Sequence, residues 1–339
     1  MRGKRWIASA LVLTVLTSFH FWYRRSVQAQ LETGFGNWTA RIRPLGWDVR
    51  YGSVTTEGWP ESAVLRVNRL TITTSDVVGS GFLSLGCDTA LLRIKLLRPD
   101  ILEITPTGPL SLRFSDRPPI PIAAGRLLVR LPLRSDGSVD TLDAGAAGVT
   151  VVLPGLGVLA LKSFNLHADH APSALTFAVS ADSISLPESR YWTIGQDITA
   201  FVLEGVLNGP MTNEPGLAAQ ARFWRDGGGS LDVSRLTIDW GATRLDATAT
   251  LALDDDLQPM GAGTGKLVGY GVALDALAAN GVFGHAAVQA AKAMLSLLAS
   301  TSAEGKPEVV DVPLSLQFRT LSVHQVPLVR FPELEWPGR

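Results

Sequence analysis

Apolar and polar residues alternate along most of this chain. Leu245, Ala247, Ala249, Leu251 and Leu253 are interleaved with Asp246, Thr248, Thr250 and Ala252. Val312, Leu314, Leu316 and Phe318 alternate in the same way with Pro313, Ser315, Gln317 and Arg319. Period two places one apolar and one polar face on a strand. From residue 47 to about 270 the chain reads as strand after short strand. Turn signals separate them, among them Arg134-Ser135-Asp136-Gly137, Asn208-Gly209-Pro210 and Asp226-Gly227-Gly228-Gly229. Connections this short favour antiparallel hairpins and meanders.

One departure from period two recurs. Leu65, Val67, Leu70 and Ile72 are spaced two, three, two, and so are Leu231, Val233, Leu236 and Ile238. The flanking letters agree as well, LRVNRLTIT at 65–73 against LDVSRLTID at 231–239. Leu159, Leu161, Phe164 and Leu166 fit the template, as do Leu316, Phe318, Leu321 and Val323. The extra residue must either flip the strand's face or be absorbed by a β-bulge, which bends and twists the strand. A series of such strands predicts a curved sheet or groove.

Three stretches read as helix. Residues 6–23 are apolar except for His20, with Arg2, Lys4 and Arg5 before them and Arg24 and Arg25 after. At about 1.5 Å per residue the run spans roughly 27 Å, enough for a thin hydrocarbon core. It is therefore expected to be a single-pass anchor in the inner (cytoplasmic) membrane, with the N-terminus in the cytoplasm and the bulk of the chain in the periplasm. The alternative is a signal peptide cleaved after Ala29, since Val27-Gln28-Ala29 has the small-residue pattern. Leu31, Phe35, Trp38, Ile42 and Leu45 then form an amphipathic stripe, which packs either on the β structure or on a membrane surface. The third helical stretch, 271–301, carries Leu274, Leu277, Phe283, Ala287, Ala290, Met294 and Leu298. It is expected to cover an apolar sheet face or plug an open end.

The expected segments are thus a cytoplasmic N-terminus and anchor (1–25), an amphipathic helix (26–46) and a β-rich domain (47–339). The last is either one sheet or two similar halves, 47–185 and 186–339. The fold class is mainly β with minor α: a transmembrane helix followed by an elongated, curved antiparallel sheet or groove.

A formal net charge of −1 lacks the basic excess of a nucleic-acid binder. Charged residues make up 18%, low against the about 25% of an average soluble domain. The single cysteine, Cys87, cannot form an intrachain disulfide and is expected to be buried. Nine tryptophans are many for this length; Trp47, Trp59, Trp192, Trp224, Trp240 and Trp336 sit among the β segments, where they suit core packing or a surface with one apolar side.

No catalytic, cofactor or metal motif stands out. His167 and His170 fall on opposite faces of a strand and cannot chelate together without a turn. Asp254-Asp255-Asp256 lacks the calcium-loop pattern and reads as a hairpin turn. Gly261-Ala262-Gly263-Thr264-Gly265-Lys266 fails the phosphate-loop spacing at Leu267. No G-x-S-x-G elbow occurs.

The chain resembles the uncharacterised bacterial envelope family known as domain of unknown function 2125. The motifs that carry the resemblance are Gly46-Trp47-x-Val49-x-Tyr51, Gly58-Trp59-Pro60, Leu236-x-Ile238-x-Trp240-Gly241, Val312-Pro313-Leu314, Val326-Pro327 and Pro332. Arg319-Thr320 stands where that family has a glycine turn. The layout is also similar to AsmA-like and TULIP-like envelope proteins, which implies a curved sheet with an apolar interior for lipid chains. The expected function is therefore lipid or other hydrophobic ligand binding, without enzymatic activity, in a groove lined by Leu65, Val67, Leu231, Val233, Leu245 and Leu251. The alternative is a non-enzymatic assembly factor that docks another envelope protein. The expected partners are the inner membrane, lipid or such a protein, and not nucleic acid.

Overall fold

The computed structural model describes residues 2–58, 60–74, 81–115, 117–134, 138–188, 194–212, 214, 216–279, 288–289, 292–293, 309–323 and 326–336. Helix α1 (Arg2–Ile42) leads through one 3₁₀ turn (Arg43–Leu45) into strands β1 (Trp47–Arg50), β2 (Val54–Glu57), β3 (Ser62–Thr74) and β4 (Leu83–Lys95). Strands β5 (Arg98–Phe114), β6 (Ile120–Pro132), β7 (Thr141–Leu153), β8 (Gly157–Ala171), β9 (Ala174–Ser185) and β10 (Asp197–Asn208) follow. Helix α2 (Leu217–Asp226) precedes β11 (Ser230–Trp240), β12 (Thr243–Leu253) and β13 (Pro259–Val268). Helix α3 (Tyr270–Ala279) precedes β14 (Val309–Gln317), β15 (Thr320–Val323) and β16 (Val326–Arg330).

The sixteen strands among the described residues belong to one antiparallel sheet. Strands β1 and β2 both pair with β3, and from β3 onward each strand pairs with the next in the chain. Among the described residues no pairing joins β16 back to the first strands. A long, unclosed meander has little interior. The chain exposes 20403 Å², roughly half as much again as the about 13,000 Å² expected for a compact monomer of 36.2 kDa.

Two small cores form where helices lie on the sheet's apolar face. Val27, Leu31 and Phe35 of α1 pack on Ala63, Leu65, Val67, Ala90, Leu92 and Ile94. At the far end Tyr270 and Leu274 of α3, with Val288, pack on Val312 and Val323. Beyond α3, the helix expected over 271–301 is described only at 288–289 and 292–293, both helical, and its other residues lie outside the described ones, as do Trp59 and Trp192.

The membrane anchor expected over residues 6–23 is overturned: among the described residues no helix is long and apolar enough to cross a membrane. The apolar run belongs to a helix that continues through charged positions to Ile42 and rests on the sheet. His20 is 2.9 Å from the Pro60 carbonyl, and Arg24 and Gln28 both donate to the Glu57 carbonyl at 3.3 Å. The fold class loses its transmembrane helix. The single-pass inner-membrane location, the sidedness assigned to the two ends and the inner membrane as a partner all rested on that helix and fall with it.

The two-three-two template has a shared structural cause. Regular pairing is interrupted at one level in each of β3, β4 and β6–β10, at Arg69 opposite Asp88 and along Gly125, Gly148, Lys162, Ser183 and Thr199. On alternate strands the inserted residue has positive φ: Arg69 (51°), Gly108 (82°), Gly148 (60°) and Ser183 (50°). That left-handed residue absorbs the extra position, so the apolar face is kept on both sides of the crease. Leu65 and Leu70 accordingly meet the same core. In β11 the register shift between Val233 and Leu236 does the same. The copy at Leu316–Val323 is different: Phe318 (50°) and Arg319 (64°) form a two-residue hairpin turn between β14 and β15.

The C-terminal tail is tied to the β12–β13 turn. Asp254 Oδ1 accepts from the Asp256 and Gln258 amides at 2.9 and 2.7 Å, which makes the aspartate run a capped turn. The buried Gln258 side chain donates to the Leu334 carbonyl (3.2 Å) and accepts from its amide (2.8 Å). Trp336 Nε1 donates to the Leu257 carbonyl at 2.9 Å.

Two stability changes follow. Gln258→Ala removes both partners of the half-buried Leu334 backbone amide and carbonyl and is expected to cost about 1 kcal/mol, measured by denaturant unfolding with a probe on the tail. Replacing Phe318-Arg319 by Asn-Gly, the pair favoured where both turn residues have positive φ, is expected to stabilise the same transition by about 1 kcal/mol. No change in midpoint would show that the turn is not strained.

Candidate functional site

Antiparallel pairing puts directly opposed residues on the same face, so the register defines rows that cross the sheet. One row takes a residue from every strand between β3 and β14: Leu65, Leu92, Ile104, Val129, Ala144, Leu166, Val179, Leu203, Leu236, Ala247, Gly265 and Val312. It contains no polar side chain. Parallel rows repeat the composition. One runs Leu127, Ala146, Phe164, Ala181, Phe201, Ile238, Leu245 and Leu267. Another runs Leu175, Leu207, Leu231, Leu251, Gly261, Leu316 and Leu321.

The burial of these rows changes along their length. Leu65, Leu92 and Val312 are buried under the two helices, whereas Ile104, Val129, Leu166, Val179, Leu203 and Leu236 are only half-buried. Ile104 of β5 still packs against the α1 core, and α2 and α3 both touch β12, so β6–β11 present about 24 Å of apolar face, at about 4.8 Å per strand, between the helix-covered ends.

The six residues expected to line a groove all lie on this face, in two separate settings. Leu65 and Val67 are fully buried beneath α1, while Leu231, Val233, Leu245 and Leu251 are half-buried on the far half of the sheet. The central residues, from Ile104 to Leu203, were not among the six. Their alternation is visible in the sequence, but membership of one row depends on register. The tryptophans serve elsewhere: Trp224 Nε1 donates to the Asn208 carbonyl (2.7 Å) and Trp240 Nε1 to the Gly195 carbonyl (2.8 Å), fastening loops at the strand ends. Cys87 is half-buried in β4, and burial followed by the Asp88 charge pushes its thiol pKa up. The glycine run 261–265 is strand β13, with Gly261, Gly263 and Gly265 on the apolar face, and not a loop.

One residue away in each strand lies the opposite face, and its central row alternates in charge: Arg93, Glu103, Arg130, Asp143, His167, Ala178, Glu204 and Arg235. Glu103 sits 3.2 Å from Lys95 and 3.7 Å from Arg130, and Glu204 sits 3.3 Å from Arg235. His167 bridges Asp143 (Nδ1, 2.7 Å) and Asp169 (Nε2, 2.8 Å). Those two carboxylates, Asp143 first, raise the His167 pKa above its ordinary value. The Thr141 hydroxyl, then His167, lowers that of Asp169. Among the described residues no group of three or more histidine, cysteine, aspartate or glutamate side chains could hold a metal ion.

A family model described as an uncharacterized protein conserved in bacteria (DUF2125) matches residues 25–332. No curated protein and no solved structure matches the chain.

The histidine bridge sets a pH window. With its pKa raised, His167 contributes stability that is fully present below about pH 6.5 and lost as pH rises through the folded value. Asp169, with its pKa lowered, contributes above about pH 4 and loses that contribution as pH falls through its folded value. The melting-temperature difference between wild type and His167→Gln should therefore be largest between about pH 4 and 6.5 and vanish in alkali. A difference independent of pH would show that the bridge is not formed.

Proposed function

We propose that this chain, which belongs to the DUF2125 family of uncharacterized bacterial proteins, binds the hydrocarbon part of an amphiphile along the apolar face of β6–β11. The observation that carries this reading is the unbroken apolar row from Leu65 to Val312, buried at both ends by the chain's own helices and half-exposed between them. An apolar surface of this extent marks a binding site more often than a solvent face. The rows carry no hydrogen-bonding side chain, so they suit a ligand that asks only for burial, such as an acyl chain. Each buried methylene is worth about 0.8 kcal/mol, and no orienting residue is required.

The reading is of a binding protein and not an enzyme. Docking of a partner strand at the sheet edges has less support. The edge strands are four (β1, β2) and five (β16) residues long, and Pro327 interrupts the donor pattern of β16. Short, proline-bearing edges resist strand addition.

Titration calorimetry of the full chain with decanoate, dodecanoate and tetradecanoate tests the reading. Affinity should rise about fourfold for each added methylene. Val179→Asp and Leu203→Asp, on the uncovered stretch, should each weaken tetradecanoate binding about tenfold or more, while Asn165→Asp on the opposite face should leave it unchanged. Affinity independent of chain length, or insensitive to both aspartates, would refute hydrocarbon binding on this face.

A further inference from the structure

The charged face carries a second feature that hydrocarbon binding does not use. Across β6–β10 it forms an open trough of about 850 Å³, within the usual range for a small-molecule site. One wall carries Arg126 and Arg130 from β6, and the other Val202 and Glu204 from β10. Asp143, Ser163, Asn165, His167 and Ser180 project between them. The floor is hollow because β7 and β9 contribute Gly145, Ala147 and Ala178 at the corresponding positions.

The chemistry of the lining narrows the ligand. The two arginines are matched in number by two carboxylates, and His167 is held between Asp143 and Asp169, so neither a cation nor an anion gains from the site as a whole. A peptide strand would need free backbone donors and acceptors, and across the trough those of β7–β10 are engaged with neighbouring strands. The lining has no phenylalanine, tyrosine or tryptophan on which a base or a planar apolar ring would stack, and its one imidazole is tied edge-on to Asp143 and Asp169 by both ring nitrogens. Guanidinium donors, carboxylate acceptors, an amide and hydroxyls, spread over the trough, match a ligand whose every polar group both donates and accepts. Hydroxyl is that group. Several of these side chains are held in place by their neighbours: Ser163 donates to Asp182 at 2.6 Å, and His167 is bridged by Asp143 and Asp169. The Arg126 side chain has no ion pair or hydrogen-bond partner among the described residues.

We infer that this trough binds a neutral polyhydroxylated ligand, a short oligosaccharide, with Arg126, Arg130, Asn165, Ser180 and Glu204 as its contacts. The site is separate from the apolar face, on the other side of the same strands, so it stands or falls independently of hydrocarbon binding.

The test is an NMR titration of the full chain with maltotriose, cellotriose and the N-acetylglucosamine trimer, each to millimolar concentration. The reporters are the His167 ring and Asn165 side-chain resonances. At least one trisaccharide should give saturable shifts. Asn165→Ala should weaken binding about fivefold, the loss of one hydrogen bond. Gly145→Leu should abolish it. A Cβ at Gly145 meets only Asn165 Oδ1, at 3.5 Å, so the larger side chain fills the trough without displacing backbone. Ser180→Leu blocks the same floor from β9 and serves if Gly145→Leu does not fold. Leu203→Asp, on the apolar face, should leave saccharide binding intact. No shift from any of the three sugars, shifts that survive both filling variants, or competition by inorganic phosphate would each overturn the inference.

Discussion

A one-residue slip at any pairing between β3 and β14 would carry leucines onto the charged face and arginines onto the apolar one. The register is held because neighbouring positions in each strand are so unlike: Leu92 beside Arg93, Ile104 beside Glu103, Val129 beside Arg130, Leu166 beside His167, Leu203 beside Glu204. Where a strand gains a residue, the sheet answers at a common level. The positive-φ positions Arg69, Gly108, Gly148 and Ser183 recur on alternate strands, so the face is preserved across the crease. Both faces depend on that preservation, since they are built from rows and not from single strands.

An unclosed sheet cannot bury its own apolar face. Closure into a barrel, or a second sheet packed against the first, would remove that surface from water. Here, among the described residues, the two helix-covered cores lie at the two ends. The contrast along one row is direct: Leu65 is fully buried under α1, and Leu203, on the same row seven strands away, is half-buried. The low charge content of the chain has the same origin, because one face of most strands is apolar along its whole length.

Much of this was legible in the sequence because alternation and turn residues are local signals. The strands, the antiparallel meander and the bulged template at 65–73 and 231–239 follow from spacing alone. What was not legible depends on which strand meets which. The central row residues Ile104, Val129 and Val179 carry no mark in the sequence that singles them out, and the trough requires Gly145, Ala178 and Arg126 to be brought together by register and curl. The reading of residues 6–23 failed for a related reason. Hydropathy over that window does not report the helix's later course, where Val27, Leu31 and Phe35 dock on β3 and β4. The last template copy failed because Phe318 and Arg319 continue the alternation while adopting the two positive φ angles of a hairpin turn, a conformation their residue types do not announce.

The placement of weak points favours the faces over the edges as the working surfaces. An exposed edge invites pairing with another chain, and here both edges are short and one carries Pro327. The apolar face is equally a hazard in water, yet it is neither interrupted by charges nor shortened between β5 and β12. A surface that only needed to be tolerated could have carried a lysine or glutamate in any of the middle strands at little cost to the ladder, since those positions are half-exposed. That none of Ile104, Val129, Leu166, Val179, Leu203 and Leu236 is polar is hard to reconcile with a face that meets only solvent, and fits a face whose apolar character is used.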